Sequence, residues 1–358
     1  MRLPGRGGKA GVVWSLPAAA MNGSGRRRSI VRKIVALIGL AALVAAPLSA
    51  AAETGELKVP LGAGGFGFLP LHMMKKYGLI EKQAAASGVP VTVNWSDIGG
   101  PSIMNEALLS GSADFISAGP PAFLTLWDRT KGNIEVKGVA AMSSIPMYLN
   151  TRAEHLRALD DIKAGDKMAV TSVKVSIPSI VMQMHARAKY GTAETFRFDP
   201  YTVTMTHPDA VIALLSGRTE VVAHYASAPF HQRERKDPAV RTIMTTTDVM
   251  GGATTFTMIS TTAKFRSQNP KLYAAFVAAL REAMDMIRAD RRNAAEVLLE
   301  SMGGKGWSVA ELVAMLEEPD TRYTVEPENV MAYAAFMHAI GSLKNRPASI
   351  DDLFFGGP

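Results

Sequence analysis

The chain has 358 residues, 47% hydrophobic and 20% charged, which describes a globular protein large enough for about two domains. Its formal charge of +7 does not call for nucleic acid or an anionic membrane, because eight basic and no acidic residues fall in residues 1–52, leaving 31 basic against 32 acidic groups in residues 53–358. The absence of cysteine excludes disulfides, thiolate metal sites and a cysteine nucleophile.

The leader charges, among them Arg26, Arg27, Arg28, Arg32 and Lys33, precede an apolar run from Ile34 to Leu48. That run has signal-peptide length and is short for a membrane span; the small residues Ser49–Ala52 then offer a cleavage site before Glu53. Residues 1–52 therefore read as leader and signal peptide, with Met21 an alternative start, and the mature protein is expected outside the cytoplasm. Arg27-Arg28 leaves the twin-arginine route open beside the ordinary secretory one.

Short strands are expected at 57–61, 91–95, 113–118 and 134–141, with helical segments between them, and again at 167–171, 201–206, 221–226 and 240–245. Such alternation is the pattern of α/β sheets. From Pro270 onward, Ala, Leu, Met and Glu recur at helical spacing over 272–287, 294–301, 309–316 and 328–340, and the 20 methionines are read as core filling on such faces. The charge run Arg233–Asp237 reads as a solvated loop.

Five strand-to-helix junctions carry proline near the first helical position: Pro70, Pro101, Pro120 with Pro121, Pro178 and Pro208. Proline suits that position because its missing N–H would be unpaired anyway, and the free N–H groups that follow point out of the carboxyl end of a sheet, where open α/β folds bind ligands. Helix initiation alone explains any one of them; five together point to a ligand cleft. A second recurrence is ALLSG at Ala107–Gly111 and Ala213–Gly217, each followed by an acidic residue and a strand, which suggests two similar lobes.

Gly62, Gly64 and Gly67 match the spacing of a dinucleotide fingerprint, but Phe68-Leu69-Pro70 follows and the next acidic residue, Asp97, comes too late. The loop is read instead as presenting Phe66 and Phe68 to a ligand. No histidine pair has metal spacing, no G-x-S-x-G elbow occurs, and no cofactor or metal is expected. His72 and His185 fall within helices, whereas His207 and His224 lie at or next to strand ends and could face the cleft. Few cations stand near the supposed cleft, Lys174 being the main one. Hydroxyls and aromatics dominate, so the expected ligand-binding set is Phe66, Phe68, Ser102, Pro120, Ser144, Lys174, Ser176, Ser179, His207, Tyr225, Thr254 and Thr255, with Phe256 beside them. This favours a small monoanion or a neutral, partly aromatic molecule.

Gly67–Gln83 (GFLPLHMMKKYGLIEKQ), both ALLSG stretches, Leu159–Ser172 (LDDIKAGDKMAVTS) and Phe336–Phe355 (FMHAIGSLKNRPASIDDLFF) resemble the periplasmic solute-binding proteins of ABC importers in the nitrate, sulfonate and taurine group, which also includes binders of pyrimidine thiamine precursors. The likeness covers almost all of residues 56–356. It implies a type II periplasmic binding protein fold, α/β with two mixed sheets flanked by helices and the ligand closed between two lobes by hinge motion. Residues 53–145 and 252–358 would form one lobe and 146–251 the other, with hinges near 143–148 and 251–257. The implied partners are a small solute and a membrane permease, with no nucleic acid, and a monomer is the simpler expectation. The family's oxyanion-gripping arginine has no obvious counterpart in the loops. An exported enzyme, nicotinamide-dependent or related to pyrimidine-forming enzymes of this architecture, is the alternative, and a sensor subunit is a third reading.

Overall fold

The computed structural model describes residues 52–356, so the expected leader, cleavage run and alternative start at Met21 lie outside the described residues except for Ala52. The first half opens with β1 (Glu56–Pro60), a 3-10 turn over Phe66–Phe68, α1 (Leu69–Tyr77), α2 (Leu79–Ala86) and β2 (Thr92–Ser96). Then come α3 (Pro101–Ser110), β3 (Ile116–Ala118), α4 (Pro120–Thr130) and β4 (Val136–Ser144). The second stretch holds β5 (Tyr148–Thr151), β6 (Lys167–Val170), α5 (Ile177–Tyr190), β7 (Thr202–Thr204), α6 (His207–Ser216), β8 (Val221–Ala226), α7 (Phe230–Arg235), β9 (Arg241–Thr245) and α8 (Thr246–Met250). The chain closes with β10 (Thr255–Thr262), α9 (Ala263–Gln268), α10 (Pro270–Ala289), α11 (Arg291–Ser301), α12 (Val309–Leu316), α13 (Val330–Ala339) and α14 (Ile350–Leu353).

Strands β5 to β9 form one mixed sheet in the order β7-β6-β8-β5-β9, with β6 parallel to β7 and β8 and β5 antiparallel to both its neighbours. The remaining strands form a parallel β1-β2 pair and an antiparallel β3-β10-β4 sheet. The first half is thus divided where a single sheet was expected. Asp114 joins the two pieces, its N–H donating to Lys58 O (2.9 Å) and its carboxylate accepting from Lys58 N (2.8 Å). A side-chain acceptor here replaces a rung of the ladder.

β5 and β10 lie where the sequence suggests hinges rather than strands. Both are almost wholly buried, and β10 (TFTMISTT) alternates Thr with Phe and Met only over its first four residues before the pattern breaks at Ile259. Buried on both faces, it loses the period-2 signal that marks a strand in sequence. The chain passes between the two sheet systems twice, at 145–147 and 246–254.

All five proline junctions begin helices, with Pro at the first or second position of α1, α3, α4, α5 and α6. The ALLSG repeats are the ends of α3 and α6. Gly111 and Gly217 take left-handed φ values of 75° and 62°, and their N–H groups return to Leu108 O and Leu214 O. A side chain at that position would strain the turn, which is why each helix stops at its glycine.

Helix α10 anchors the first half through Leu272, Tyr273, Phe276, Leu280, Ala283 and Ile287, all buried at helical spacing, with the Phe276 ring stacked on Phe115 at 3.9 Å. Its first turn is capped from a distance: Glu53 accepts from Lys271 N (2.9 Å) and Leu272 N (2.8 Å). A carboxylate there satisfies orphan donors and meets the positive end of the helix dipole.

Candidate functional site

A cleft lies between the two sheet systems, with about 500 Å³ of atom-free space that runs out into open solvent. Ala63, Phe68, Gly100, Ser117, Gly119, Phe256 and Thr257 wall it from one side, and Met147, Thr171, Val175, Ser176, Ile177, Pro178 and His207 from the other. In its present form it holds only a small molecule.

The N-termini of α3, α4, α5 and α6 all reach this cleft, through Gly100-Pro101, Gly119, Ser176–Pro178 and His207. In α3, α4 and α5 no side chain caps the first turn. Their N–H groups give a partial positive potential without any cation, and no Lys or Arg is on the wall. Ser117 Oγ, buried on the wall, has no hydrogen-bond partner in the protein, and Thr257 Oγ1 donates to Gly67 O at 2.7 Å. The free N–H groups and the Ser117 hydroxyl suit a solute carrying hydrogen-bond acceptors, whereas the Thr257 proton is already committed to Gly67 O.

Of the expected binding residues, Phe68, Ser176 and His207 line the cleft, with Phe256 beside them. The Phe68 and Phe256 rings meet edge to face at 6.5 Å. Pro120 begins α4 next to Gly119, and Ser102 stands one residue after Pro101 with its hydroxyl 2.8 Å from Ser172 Oγ, a bond between the two halves. Ser179 turns inward to Ser172 O (3.1 Å) and Ser176 Oγ (3.2 Å).

The others are placed elsewhere. Phe66 is fully buried and its carbonyl accepts from Tyr323 Oη at 2.9 Å. Tyr225 is buried within the second sheet, and Lys174 is exposed on a loop with φ 67°. Ser144, Thr254 and Thr255 serve the crossover instead of the cleft: Ser144 Oγ donates to Thr254 O, and Thr255 Oγ1 accepts from Glu328 N at 2.8 Å. The segment 322–328 pairs with Ser144 and Thr255, a long-range neighbour that local sequence does not announce. The strand end 224–229 is also off the wall; its Ala228 O accepts from Phe66 N across the two halves.

The glycine loop is no dinucleotide fingerprint, because Gly67 lies inside the 3-10 turn, pressed against the Phe256 ring, rather than at a helix start.

The run Arg233–Asp237 is a correction. It belongs largely to helix α7, and its Glu234 is completely buried. Glu234 Oε1 meets His224 Nδ1 at 2.5 Å, His224 Nε2 meets His207 Nδ1 at 2.8 Å, and His207 Nε2 lies 3.2 Å from Ser227 Oγ. Asn150 Nδ2 donates to Glu234 Oε2 at 2.7 Å, its orientation set by Thr242 Oγ1, which donates to Asn150 Oδ1 at 2.7 Å. Burial pushes the Glu234 carboxyl up to about 8. It drives both His207 and His224 well below the usual imidazole value, with mutual repulsion adding to the effect at His207. His72 lies apart, on a groove with Lys75 and Asp97, and burial lowers it to about 4. The sequence clue to Glu234 was its place four residues after Phe230, on one face of a short helix. Among the described residues no group of three or more His, Asp or Glu side chains forms a metal site.

Two sheet systems, a chain that crosses between them twice, and a cleft walled by helix N-termini define the type II periplasmic binding protein fold. The structure is similar to the alkanesulfonate-binding protein SsuA from Xanthomonas axonopodis pv. citri, bound to MOPS (TM-score 0.64, 18% identity, 83% of this chain and 96% of that one). It is also similar to the periplasmic nitrate-binding protein NrtA from Synechocystis PCC 6803 (TM-score 0.61, 14% identity, 84% of each chain). A Candida albicans gene product, CA3427, described as exhibiting the generic periplasmic binding protein fold, matches at TM-score 0.63 and 11% identity over 84% of this chain and 96% of that one. No protein-family model and no curated protein matches the chain.

Proposed function

We propose that this protein is an exported solute receptor of the nitrate, sulfonate and taurine type, which closes over a small acceptor-rich solute and hands it to the permease of an ABC importer without transforming it. The reading rests on one observation above all. The cleft is walled in comparable measure from both sheet systems, so a bound solute would bridge them and favour the closed arrangement. Residues 53–145 with 252–358 would act as one lobe and 146–251 as the other. The uncapped helix N-termini and the absence of a wall cation favour a monoanion or a neutral oxygen-bearing molecule over a multiply charged one. The binding functions named for the SsuA and NrtA structures agree in kind with this chemistry.

The test is thermal melting of residues 53–358 against nitrate, short alkanesulfonates, aromatic carboxylates, pyrimidines and NAD(P). A solute at about 100 times its dissociation constant stabilises by about 2.7 kcal/mol, a shift of a few degrees. A shift with one small solute, recovered unaltered and accompanied by a smaller radius of gyration, is expected. A shift with NAD(P) alone, or chemical turnover of the bound molecule, overturns the receptor reading in favour of an exported enzyme.

A further inference from the structure

Among the described residues His207 is the one titratable side chain on the cleft wall, and it belongs to a buried chain of four groups running away from it: His207, His224, Glu234 and Asn150. We propose that His224 and Glu234, which do not line the cleft, decide whether His207 Nε2 donates to or accepts from Ser227 Oγ and whether the wall at His207 is neutral or negative, and so set the site to receive an anion only while the chain keeps its proton. This deepens the receptor reading above and rests on it.

The direction of each hydrogen bond follows from Asn150. Its amide donates to Glu234 Oε2, so an acidic proton on that carboxyl belongs to Oε1, the oxygen facing His224 Nδ1. His224 Nδ1 then accepts, His224 Nε2–H donates to His207 Nδ1, and His207 keeps its proton on Nε2, donating to Ser227 Oγ. Moving the shared proton from Glu234 to His224 Nδ1 leaves the outer bonds unchanged, so the His207 tautomer does not depend on which partner holds it. Loss of one proton from the chain to solvent reverses everything: the carboxylate accepts from His224 Nδ1–H, His224 Nε2 accepts from His207 Nδ1–H, and His207 Nε2 is bare, accepting only from the Ser227 hydroxyl. The chain then carries a negative charge and repels an anion in the cleft that His207 lines.

Among the described residues no cation neutralises Glu234. On its own helix, Arg233 donates to Gly306 O, Arg235 to Val240 O, and Lys236 pairs with Glu311. His231 lies against Asn150 and stacks on Tyr148, while β5, β8, β9 and α6 present Asn150, His224, Thr242 and His207. Burial without a counter-charge keeps the proton on at neutral pH, with loss centred near about 8. The chain behind the site is therefore neutral at neutral pH and negative well above about pH 8.

The test reads the two imidazoles directly, by nitrogen-15 NMR of the ligand-free protein labelled at histidine. At pH 7, His207 and His224 should both be in the Nε2–H form, and at pH 9.5 both should be in the Nδ1–H form. In Glu234→Gln the amide N–H replaces the acid proton, and the Nε2–H form should persist at both pH values. Titration with ethanesulfonate and nitrate gives the second reading: affinity of the parent should fall about tenfold per pH unit above about pH 8, and that of Glu234→Gln should stay flat. A His207 that is Nδ1–H at pH 7, or a tautomer in the variant that still inverts with pH, overturns the proposal. So does anion affinity that is flat with pH in the parent. If the tautomers behave as stated but no small solute of any kind binds, the receptor reading fails while the proton chain stands.

Discussion

Replacing Gly119 with alanine tests closure at a single atom. Gly119 is the N-cap of α4 with φ −77° and ψ 161°, a conformation alanine adopts without strain. Its added Cβ would fall 2.8 Å from Ile177 Cδ1 and 3.0 Å from Ile177 Cγ1, atoms of the opposite half, and 3.2 Å from Phe256 O on its own side. Within one half the methyl meets one tight contact, the Phe256 carbonyl, and the closer clash, with Ile177, arises when the halves come together. Overpacking costs about 1–3 kcal/mol, and the low end applies because Ile177 Cδ1 is the end of a side chain that can turn. About 1 kcal/mol corresponds to roughly fivefold weaker binding, since the solute is held by the closed form. Titration calorimetry with the solute giving the largest melting shift measures it, with scattering to follow closure. Stability of the ligand-free variant should be unchanged or slightly raised by the loss of glycine's freedom in the unfolded chain. In an Ile177→Ala background the alanine at 119 should cost nothing further. Unaltered affinity in Gly119→Ala, or an equal loss with and without Ile177, refutes the reasoning.

Removing the Glu53 carboxylate in Glu53→Ala frees two first-turn N–H groups of α10 and should cost about 1 kcal/mol, seen as a melting temperature lower by about 2 °C. Lys236→Ala removes a cation 4.1 Å from the Trp307 ring and paired with Glu311, a clasp between α7 and the C-terminal helices; affinity should weaken about twofold to fivefold, with a smaller effect at high salt. Stability should peak near pH 6.5. Below it, the buried His72 and His231, lowered to about 4 from 6.5, and the still lower His207 and His224 bind fewer protons folded than unfolded, so stability rises with pH. Above it, Glu234, raised to about 8 from 4.5, keeps a proton that the unfolded chain releases, so stability declines toward pH 8; melting curves should lose that decline in Glu234→Gln.

What the sequence determined by itself was whatever depends on neighbours along the chain. Proline at five helix starts, glycine at the two ALLSG endings and the spacing of Leu272, Phe276 and Leu280 are local devices, and each produced the element it implied. The same junctions located the cleft, because helix N-termini are fixed by the strand ends that precede them. Tertiary structure alone decided which side chains look into it. Ser144, Thr254 and Thr255 had the right chemistry and the right region, yet the segment 322–328 pairs with Ser144 and Thr255, Ser144 in turn holds Thr254 O, and nothing near them in sequence foretells that strand-like neighbour. Glu234 shows the converse. Amid Arg233, Arg235 and Lys236 its composition reads as solvated surface, but α7 turns that one residue beneath β8 and β5, where His224 and Asn150 receive it. A charge in a run is exposed or buried according to the face it occupies, and that face exists only once the helix has a sheet to pack on.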